Sequence, residues 1–356
     1  MNQKSVPYWF MRGGTSRGPY FKRDDLPNDL ESLSEILVAT VGAGHPLNID
    51  GVGGGNAVTT KVAMLSRSDD EWADVDYFFA QVAVLEPLVD YKPTCGNILS
   101  GVGPAALEMG LVKATGDETV INIRAVNTGA RVQAKVKTPQ GQLTYAGDAA
   151  IAGVPGTAAP IELTFLDVAG SATGAMLPTG NARDVIDGIE VTCMDVAMPV
   201  VMVRAEDLGI TGYESAADLD ADTEFFARME RIRLKAGELM GMGDVTKSVT
   251  PKFAVLAKPR NGGTITARYF MPWKTHPTMA VTGAQCIASC ALQPGSVADG
   301  LCDRPDPGTV EVVLEHPSGQ IEVLVSFTAE NGFTFESAGL IRTARKLADG
   351  QLYVPS

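Results

Sequence analysis

A run of small and apolar residues extends from Ile98 to Leu107 without a charged side chain, and the first charge after it is Glu108. A surface helix would carry polar residues along one face, so this pattern predicts a buried helix near residues 96–110. A second run of the same kind, residues 278–292, predicts a second buried helix. Amphipathic patterns over residues 29–41 and 218–241 predict two surface helices.

The two halves of the chain carry similar patterns at a nearly constant spacing. Thr60–Leu65 resembles Pro251–Leu256 at an offset of 191 residues, and Asp76–Phe78 resembles Arg268–Phe270 at an offset of 192. A strand–turn–strand pattern recurs at an offset of 190, and the second apolar run lies where a copy of the first would fall. This order predicts an α/β (α+β) fold with two pseudo-symmetric domains, each a bent mixed sheet around a central apolar helix.

A turn-rich stretch, Leu177–Asn181, marks the predicted crossover between the domains. We expect the last segment, Ile341–Val354, to return to the first sheet. The predicted N-terminal domain is therefore residues 1–182 plus 341–356, with its central helix near 96–110. The predicted C-terminal domain is residues 183–340, with its central helix near 278–292.

Composition narrows the function class. The 356 residues are 45% hydrophobic and 20% charged, and the net charge of −13 argues against a nucleic-acid groove. No run approaches the roughly 18 apolar residues of a membrane span, and the first residues lack the core of a signal peptide. Five widely spaced cysteines favour a reducing cytoplasm. No zinc spacing is present, and the glycine-rich loop at 51–56 is not a dinucleotide fingerprint, so we expect no metal and no cofactor.

Cys95, Gly96 and Asn97 lie where the first buried helix is predicted to begin. The first N–H groups of a helix have no partner inside it, and they favour an anion or a thiolate. The alternative is a buried helix that happens to begin near a cysteine.

Lys61 follows Thr60 in a strand predicted over residues 58–66, and that strand is otherwise apolar. A charged lysine is costly to bury, and desolvation favours the neutral amine, which can accept a proton. The alternative is a strand-end lysine that extends to water. Its repeat counterpart, Lys252, follows a proline, and we expect one of the two lysines to be structural.

Further candidates are cations and polar groups near the predicted helix ends. Arg12 and Ser16 lie in a glycine-rich turn after a strand, which suits carboxylate binding, although a solvated turn is the alternative. In the second half, Arg268 and His276 flank the entrance of the helix that is predicted to begin with Thr278 and Met279.

We expect these groups and both helix ends to meet in one cleft between the domains. That arrangement would bind a small substrate with several carboxylates. Lysine and cysteine as titratable groups suit proton transfer at a carbon next to a carbonyl. A cofactor-free isomerase or epimerase follows more naturally than a redox enzyme.

Several motifs resemble the methylaconitate isomerase and 4-oxalomesaconate tautomerase family. They are Met11–Gly18, Asp50–Gly54, Thr60–Val62, Asp74–Tyr77, Cys95–Asn97, Gly101–Pro104, Leu177–Asn181, Gly243–Val245 and Arg342–Arg345. The resemblance spans nearly the whole chain. It implies the fold of diaminopimelate epimerase, in which two pseudo-symmetric domains each wrap a sheet around a central helix.

The resemblance also implies roles. Lys61 matches the lysine that abstracts a proton, and Cys95 matches the cysteine at the central helix, as a proton carrier or an orienting group. The substrate-binding set that we predict is Arg12, Ser16, Thr60, Gly96, Asn97, Arg268, His276, Thr278 and Met279. No cysteine stands at the start of the second helix, which disfavours a racemase with two thiols.

Within the family the chain is most similar to the 4-oxalomesaconate tautomerases, through Ala146–Asp148, Gly153–Thr157 and Ile210–Glu214. This implies an allylic shift of a proton and a double bond in a polycarboxylate, in gallate and protocatechuate breakdown. A 2-methylaconitate cis–trans isomerase and an aconitate Δ-isomerase stay open as alternatives. So do a non-catalytic carboxylate-binding protein and a two-base epimerase. The oligomeric state also stays open, with a homodimer as one arrangement.

Overall fold

The computed structural model describes residues 3–271, 273–330 and 332–355. The chain divides into two compact units, Met1–Phe165 with Ile341–Ser356, and Leu166–Leu340. The sequence placed the boundary at residue 182 instead. The residues in between pair with the second unit, because the Gly170 N–H donates to the Asp195 carbonyl and the Asp195 N–H donates to the Met176 carbonyl.

The first unit is a mixed sheet with helices on both faces. Its strands are β1 (Gln3–Gly13), β2 (Ser16–Lys22), β3 (Lys61–Arg67), β4 (Val75–Val82), β5 (Val89–Asp90), β6 (Glu118–Ala125), β7 (Ala130–Lys137) and β8 (Ile161–Leu166), and β17 (Ala344–Pro355) returns from the end of the chain. Its helices are α1 (Leu30–Val41), α2 (Gly96–Leu99) and α3 (Val102–Glu108). The predicted surface helix at 29–41 is confirmed as α1, and the Asp29 side chain caps it by accepting from the Ser32 N–H.

The predicted central helix near 96–110 is two short helices. Pro104 has no N–H to donate to the Ser100 carbonyl, so the regular ladder cannot pass through this point. Between the two helices, the Gly101 N–H donates to the Ile98 carbonyl at 2.9 Å, which tightens the turn between α2 and α3. Both helices contact β3, and α1 packs on the opposite face of the sheet with Phe21, Val62 and Met64.

The second unit repeats this plan. Its strands are β9 (Asp184–Ile186), β10 (Ile189–Asp195), β11 (Pro199–Arg204), β12 (Lys252–Ala257), β13 (Ile265–Phe270), β14 (Gly308–His316), β15 (Gly319–Thr328) and β16 (Thr334–Arg342), and its helices are α4 (Ala216–Ala221), α5 (Thr223–Leu239) and α6 (Val281–Leu292). The central helix α6 contacts β10, β11, β13, β14 and β15. The predicted surface helix at 218–241 is interrupted at Asp222, whose side chain caps α5 by accepting from the Phe225 N–H.

The strand pairings agree with the predicted duplication. From β1 to β7 successive pairs run antiparallel, parallel, antiparallel, parallel and antiparallel, and β10 to β15 follow the same series. If Lys61 is matched with Lys252, the ladders place Ala80 opposite Val62 and Phe270 opposite Phe253. The offset for β4 and β13 is therefore 190 residues, and the offset of 192 taken from Asp76–Phe78 is wrong.

The start of the second central helix also differs from the prediction. Helix α6 begins at Val281 after Ala280, which is extended, so Thr278 and Met279 precede the helix. The Thr278 N–H donates to His276 Nδ1, which forms a local turn between the end of β13 and the start of α6. No helix among the described residues is long and apolar enough to cross a membrane.

Candidate active site

Lys61 is the first residue of β3 and lies opposite Gln81 on β4. Side chains alternate across a strand, so Lys61 shares a face with Ala63, and across the ladder with Phe79 and Gln81. This is the face that α2 and α3 cover, whereas Val62 packs on the α1 side. The predicted base therefore lies beside the central helices of its unit.

Neutral groups hold the Lys61 amine. Its Nζ donates to Gln81 Oε1 at 2.9 Å and lies 5.4 Å from the centroid of the Phe79 ring. Gln81 Nε2 donates to the Thr60 hydroxyl at 3.1 Å and to the Ala57 and Val82 carbonyls at 3.2 Å, which fixes the orientation of the amide. Over the described part of the chain, no carboxylate lies within 4.0 Å of Lys61 Nζ. The amine is therefore held by neutral groups and not by a counter-ion among these residues.

Thr60 and Ser16 have different environments. The buried Thr60 hydroxyl donates to the Val82 carbonyl at 2.7 Å, which fixes it as a support for Gln81. Ser16 is 3% exposed, and its Oγ has no hydrogen-bond partner among the described residues. Ser16 shares its face of β2 with Tyr20, whose hydroxyl donates to the Ile98 carbonyl of α2. An unpartnered buried hydroxyl on the face of the central helices is available to a ligand.

Cys95 directly precedes α2 and is a half-buried free thiol. Its carbonyl accepts from the Tyr77 hydroxyl at 3.3 Å, which anchors it to β4. Asn97 Oδ1 accepts from the Thr15 N–H at 3.3 Å, which joins α2 to the turn after β1. A Cβ atom on Gly14 would lie 2.2 Å from that oxygen, so the turn needs glycine at this position. The predicted residues Cys95, Gly96 and Asn97 thus form one connection between α2, β4 and the β1–β2 turn.

Arg12 lies on the other face of the sheet. It shares its side of β1 with Val6, which packs in the core under α1. Its NH1 donates to the Gly14 carbonyl at 2.9 Å and to the Thr343 carbonyl at 3.0 Å. The ladder therefore does not place Arg12 beside Lys61, and its role as a substrate ligand stays a prediction.

In the second unit, Arg268 is 6% exposed and supports a loop. Its Nε donates to the Glu214 carbonyl at 2.8 Å, and its NH1 donates to the Ala267 carbonyl at 3.0 Å. Burial lowers the pKa of Arg268, while nearby Glu214 raises it. Its neighbour Tyr269 packs against Gly283 of α6, so Arg268 projects to the opposite face. This arrangement favours a structural role for Arg268.

His276 lies just before α6 with its ring 6.1 Å from the Tyr269 ring. Burial lowers the pKa of His276, a backbone hydrogen bond with Thr278 raises it, and the charge of Lys252 lowers it again. Burial likewise lowers the pKa of Lys252, and the nearby Arg233 lowers it further. Met279 is 7% exposed. These residues surround the start of α6, and their contact with a substrate stays a prediction.

The structure adds two residues that the sequence analysis missed. Gln81 and Phe79 both contact the Lys61 amine, and both follow from the antiparallel register of β3 and β4. Counting from the β3–β4 turn could have identified them. No group of three or more His, Cys, Asp or Glu side chains that could hold a metal ion occurs in the part of the chain that the structure describes.

Comparison with known proteins decides the family. The model of the PrpF protein family matches residues 3–355. The chain belongs to the PrpF family. It is 49% identical over 350 residues to the 4-oxalomesaconate tautomerase of Pseudomonas putida KT2440, covering 98% of this chain and 96% of the relative. It is 48% identical over 353 residues to the (4E)-oxalomesaconate Delta-isomerase of Novosphingobium sp. KA1, covering 99% and 98%.

A solved structure confirms the predicted fold class. The crystal structure of a methylitaconate-delta-isomerase superposes with a TM-score of 0.92 at 35% identity, covering 99% of this chain and 96% of that one. The predicted resemblance to a family of isomerases is therefore confirmed. These relatives are isomerases that differ in the acids their names give, so the substrate of this chain is a separate question.

Proposed function

We propose that this PrpF-family chain is a cofactor-independent isomerase that moves a proton and a double bond within a polycarboxylate, with 4-oxalomesaconate as its substrate. The observation that carries the proposal is the Lys61 amine, which is held by the Gln81 amide and the Phe79 ring without a carboxylate partner among the described residues. The two relatives named for oxalomesaconate support the choice of substrate.

In the proposed reaction, neutral Lys61 takes a proton from the carbon that is activated by the conjugated carbonyl. The C–H electron pair moves into the carbon framework and gives a dienolate, and the amine becomes an ammonium. A proton is then added two carbons away and the double bond takes its new position, so atoms and charge balance. Lys61 or the Cys95 thiol delivers that proton.

Ser16 and Cys95 have supporting roles in this scheme. The unpartnered Ser16 hydroxyl would donate a hydrogen bond to a carboxylate or to the developing enolate oxygen, which stabilises the charge that appears during the reaction. The Cys95 thiol would lie on the same side as Lys61, because Tyr77 holds its carbonyl against β4. The five cysteines are free, which supports a reducing compartment such as the cytoplasm.

A proton NMR experiment in deuterated buffer tests the proposal. Incubation with 4-oxalomesaconate should shift the vinyl signal to its new position and incorporate solvent deuterium at the protonated carbon. Lys61→Ala is the control and should leave the substrate unchanged for the same period.

The same experiment separates the alternatives. Turnover of 2-methylaconitate, aconitate or methylitaconate, with 4-oxalomesaconate left intact, would overturn the substrate but keep the reaction class. The methylitaconate-delta-isomerase relative is the reason to include the last of these acids. Binding of these acids without any exchange would instead establish a carboxylate-binding protein.

A further inference from the structure

Arginines of two family motifs, which the proposed reaction does not use, are brought side by side by the first sheet. Arg12 and Arg17 belong to Met11–Gly18, and Arg345 belongs to Arg342–Arg345 near the other end of the chain. In the ladder Arg12 lies directly opposite Arg17 of β2 and directly opposite Arg345 of β17. Residues that face each other across antiparallel strands project to the same side. The three arginines therefore form a row across three adjacent strands.

Among the described residues, no carboxylate neutralises this arginine row. Within residues 3–271, 273–330 and 332–355, none of the three forms an ion pair with an acidic side chain. The protein carries 42 acidic and 29 basic residues, so a row of unpaired arginines departs from its overall charge. Arg12 donates only to backbone carbonyls, and Arg17 lies 5.5 Å from the centroid of the Phe10 ring.

Like charges directly opposite each other in a sheet are unfavourable. Burial lowers the pKa of Arg12, and the charge of Arg345 lowers it further, so the protonated form of Arg12 is disfavoured by its surroundings. An anion with several charges would relieve both costs when it binds. The bare backbone of Gly54 adds room beside Arg17, since a Cβ atom there would lie 2.8 Å from the Arg17 NH2.

The row is separate from the Lys61 site. Arg12 and Arg17 lie on the face of the sheet that α1 covers, as do Val6 and Phe21. Lys61 lies on the face of α2 and α3. A ligand bound to the row would leave the Lys61 amine free.

We propose that Arg12, Arg17 and Arg345 form a second anion site, distinct from the proposed catalytic site, that binds a small polycarboxylate. Adjacent strands are about 4.8 Å apart, so the row extends over about 10 Å. That span matches carboxylates on different carbons of one molecule better than it matches the oxygens of a single phosphate. Each guanidinium can bind a carboxylate through two parallel N–H groups.

Arginine modification of the wild-type protein tests the site residue by residue. Phenylglyoxal labels accessible arginines, and peptide mass spectrometry reads each position. Tricarballylate, a stable tricarboxylate, should slow the labelling of Arg17 and Arg345 and leave Arg231, an exposed arginine of α5, unchanged. Inorganic phosphate at the same ionic strength should protect less. Equal protection by phosphate would overturn the polycarboxylate assignment, and no protection by either anion would overturn the site.

Variants give the second readout. Arg17→Gln and Arg345→Gln should each weaken tricarballylate binding, measured by calorimetry, by about tenfold, whereas Arg231→Gln removes the same charge and should not. Lys61→Ala should keep the binding that depends on Arg345. An equal loss in Arg231→Gln would show only general electrostatic attraction, and loss of the Arg345-dependent binding in Lys61→Ala would show a single site. These outcomes do not depend on whether 4-oxalomesaconate is turned over.

Discussion

Lys61 begins β3 in the first unit, and Lys252 begins β12 in the second. Each lysine, together with the residue opposite it on the next strand, is called a corner here. The two corners have the same strand arrangement and differ in chemistry. In the first, Gln81 lies opposite the lysine and accepts a hydrogen bond from its amine. By the same register the second has Met271 at that position, one residue beyond β13. Lys252 has no hydrogen bond or ion pair with any residue that the structure describes, and it lies near the buried cation Arg233.

The residues around the two lysines also differ in chemistry. Cys95 precedes α2, whereas Ala280 precedes α6. Phe79 lies beside Lys61, and Tyr269 takes the corresponding place in the second unit, with a buried hydroxyl that has no partner among the described residues. Both units share the same frame, but among the described residues only the first combines a lysine held by a carboxamide with a cysteine directly before its central helix. This difference supports placing the proposed proton-transfer groups in the first unit.

The strongest test replaces each lysine in turn. Lys61→Ala should lower kcat by about a thousandfold, because positioned general bases contribute about 10²–10⁴. Lys252→Ala should lower it less than about tenfold. Steady-state kinetics on both variants, with circular dichroism to check folding, makes the measurement. Equal losses would mean that the two corners share the chemistry.

Removing the thiol makes the start of α2 resemble that of α6. Cys95→Ala should lower kcat by about a hundredfold if the thiol carries a proton. Cys302→Ala, which removes another half-buried free thiol, is the matched control and should keep full activity. A fully active Cys95→Ala protein would leave Cys95 with a structural role only.

The turn ends of the same two hairpins, far from the lysines, are held by opposite charges. Arg124, opposite Asp76, binds Asp69 and Asp76 at 2.8 Å and 2.6 Å in the first unit, and Glu315, opposite Thr266, takes the equivalent place in the second. Burial raises the pKa of Glu315, but it accepts from the Arg260, Asn261 and Gly263 N–H groups and the Thr266 hydroxyl. Together they lower it to about 2.

Glu315→Gln should therefore lower the free energy of unfolding by about 2 kcal/mol at neutral pH, since charge-assisted bonds to a buried group are lost. The folded pKa lies below the ordinary value of 4.5, so the contribution is present above that pH and disappears as the pH falls toward 2. Urea unfolding at several pH values measures it. Arg124→Gln, at a more exposed site, should cost less, and the reverse order would contradict the burial argument.

Replacing the Gln81 side chain tests the difference between the two corners directly. Gln81→Met places the residue of the second unit beside Lys61 and should lower kcat by about tenfold, with KM little changed, because the amine loses its orientation. Gln81→Glu should move the rise of kcat with pH to higher pH, because a carboxylate stabilises the ammonium form. A pH–rate profile identical to that of the wild type in both variants would make Gln81 a structural residue only.

The smallest effect is expected at the matching aromatic position. Tyr269→Phe removes a buried hydroxyl that lacks a partner among the described residues, and it should raise the free energy of unfolding by about 1 kcal/mol. Tyr77→Phe, which removes a hydroxyl that donates to Cys95, should lower it by a similar amount. Thermal unfolding of both proteins separates the two signs. A loss of stability in Tyr269→Phe would reveal a partner for its hydroxyl.

Local patterns predicted the frame and the lysine but could not predict which face each residue takes. The uncharged runs and the repeat predicted both central helices, and the strand predicted over residues 58–66 is present as β3, which begins at Lys61 rather than at Val58. Gln81 was not predicted because its contact with the Lys61 amine depends on the exact register of β3 and β4. Arg12 was grouped with Lys61 because both are cations near glycines, yet strand alternation places them on opposite faces. Pro104 divides the first helix although its composition is uniform.

The pairing of β17 with β1 has a consequence for how the chain is made. The second unit is one continuous segment, whereas the first takes strands from both ends of the sequence. During synthesis from the N-terminus, one edge of β1 therefore lacks its partner strand β17 until residues 344–355 have left the ribosome. The unit that carries Lys61 is completed last, after the second unit has had time to fold. Active enzyme therefore requires that residues 344–355 have been synthesised.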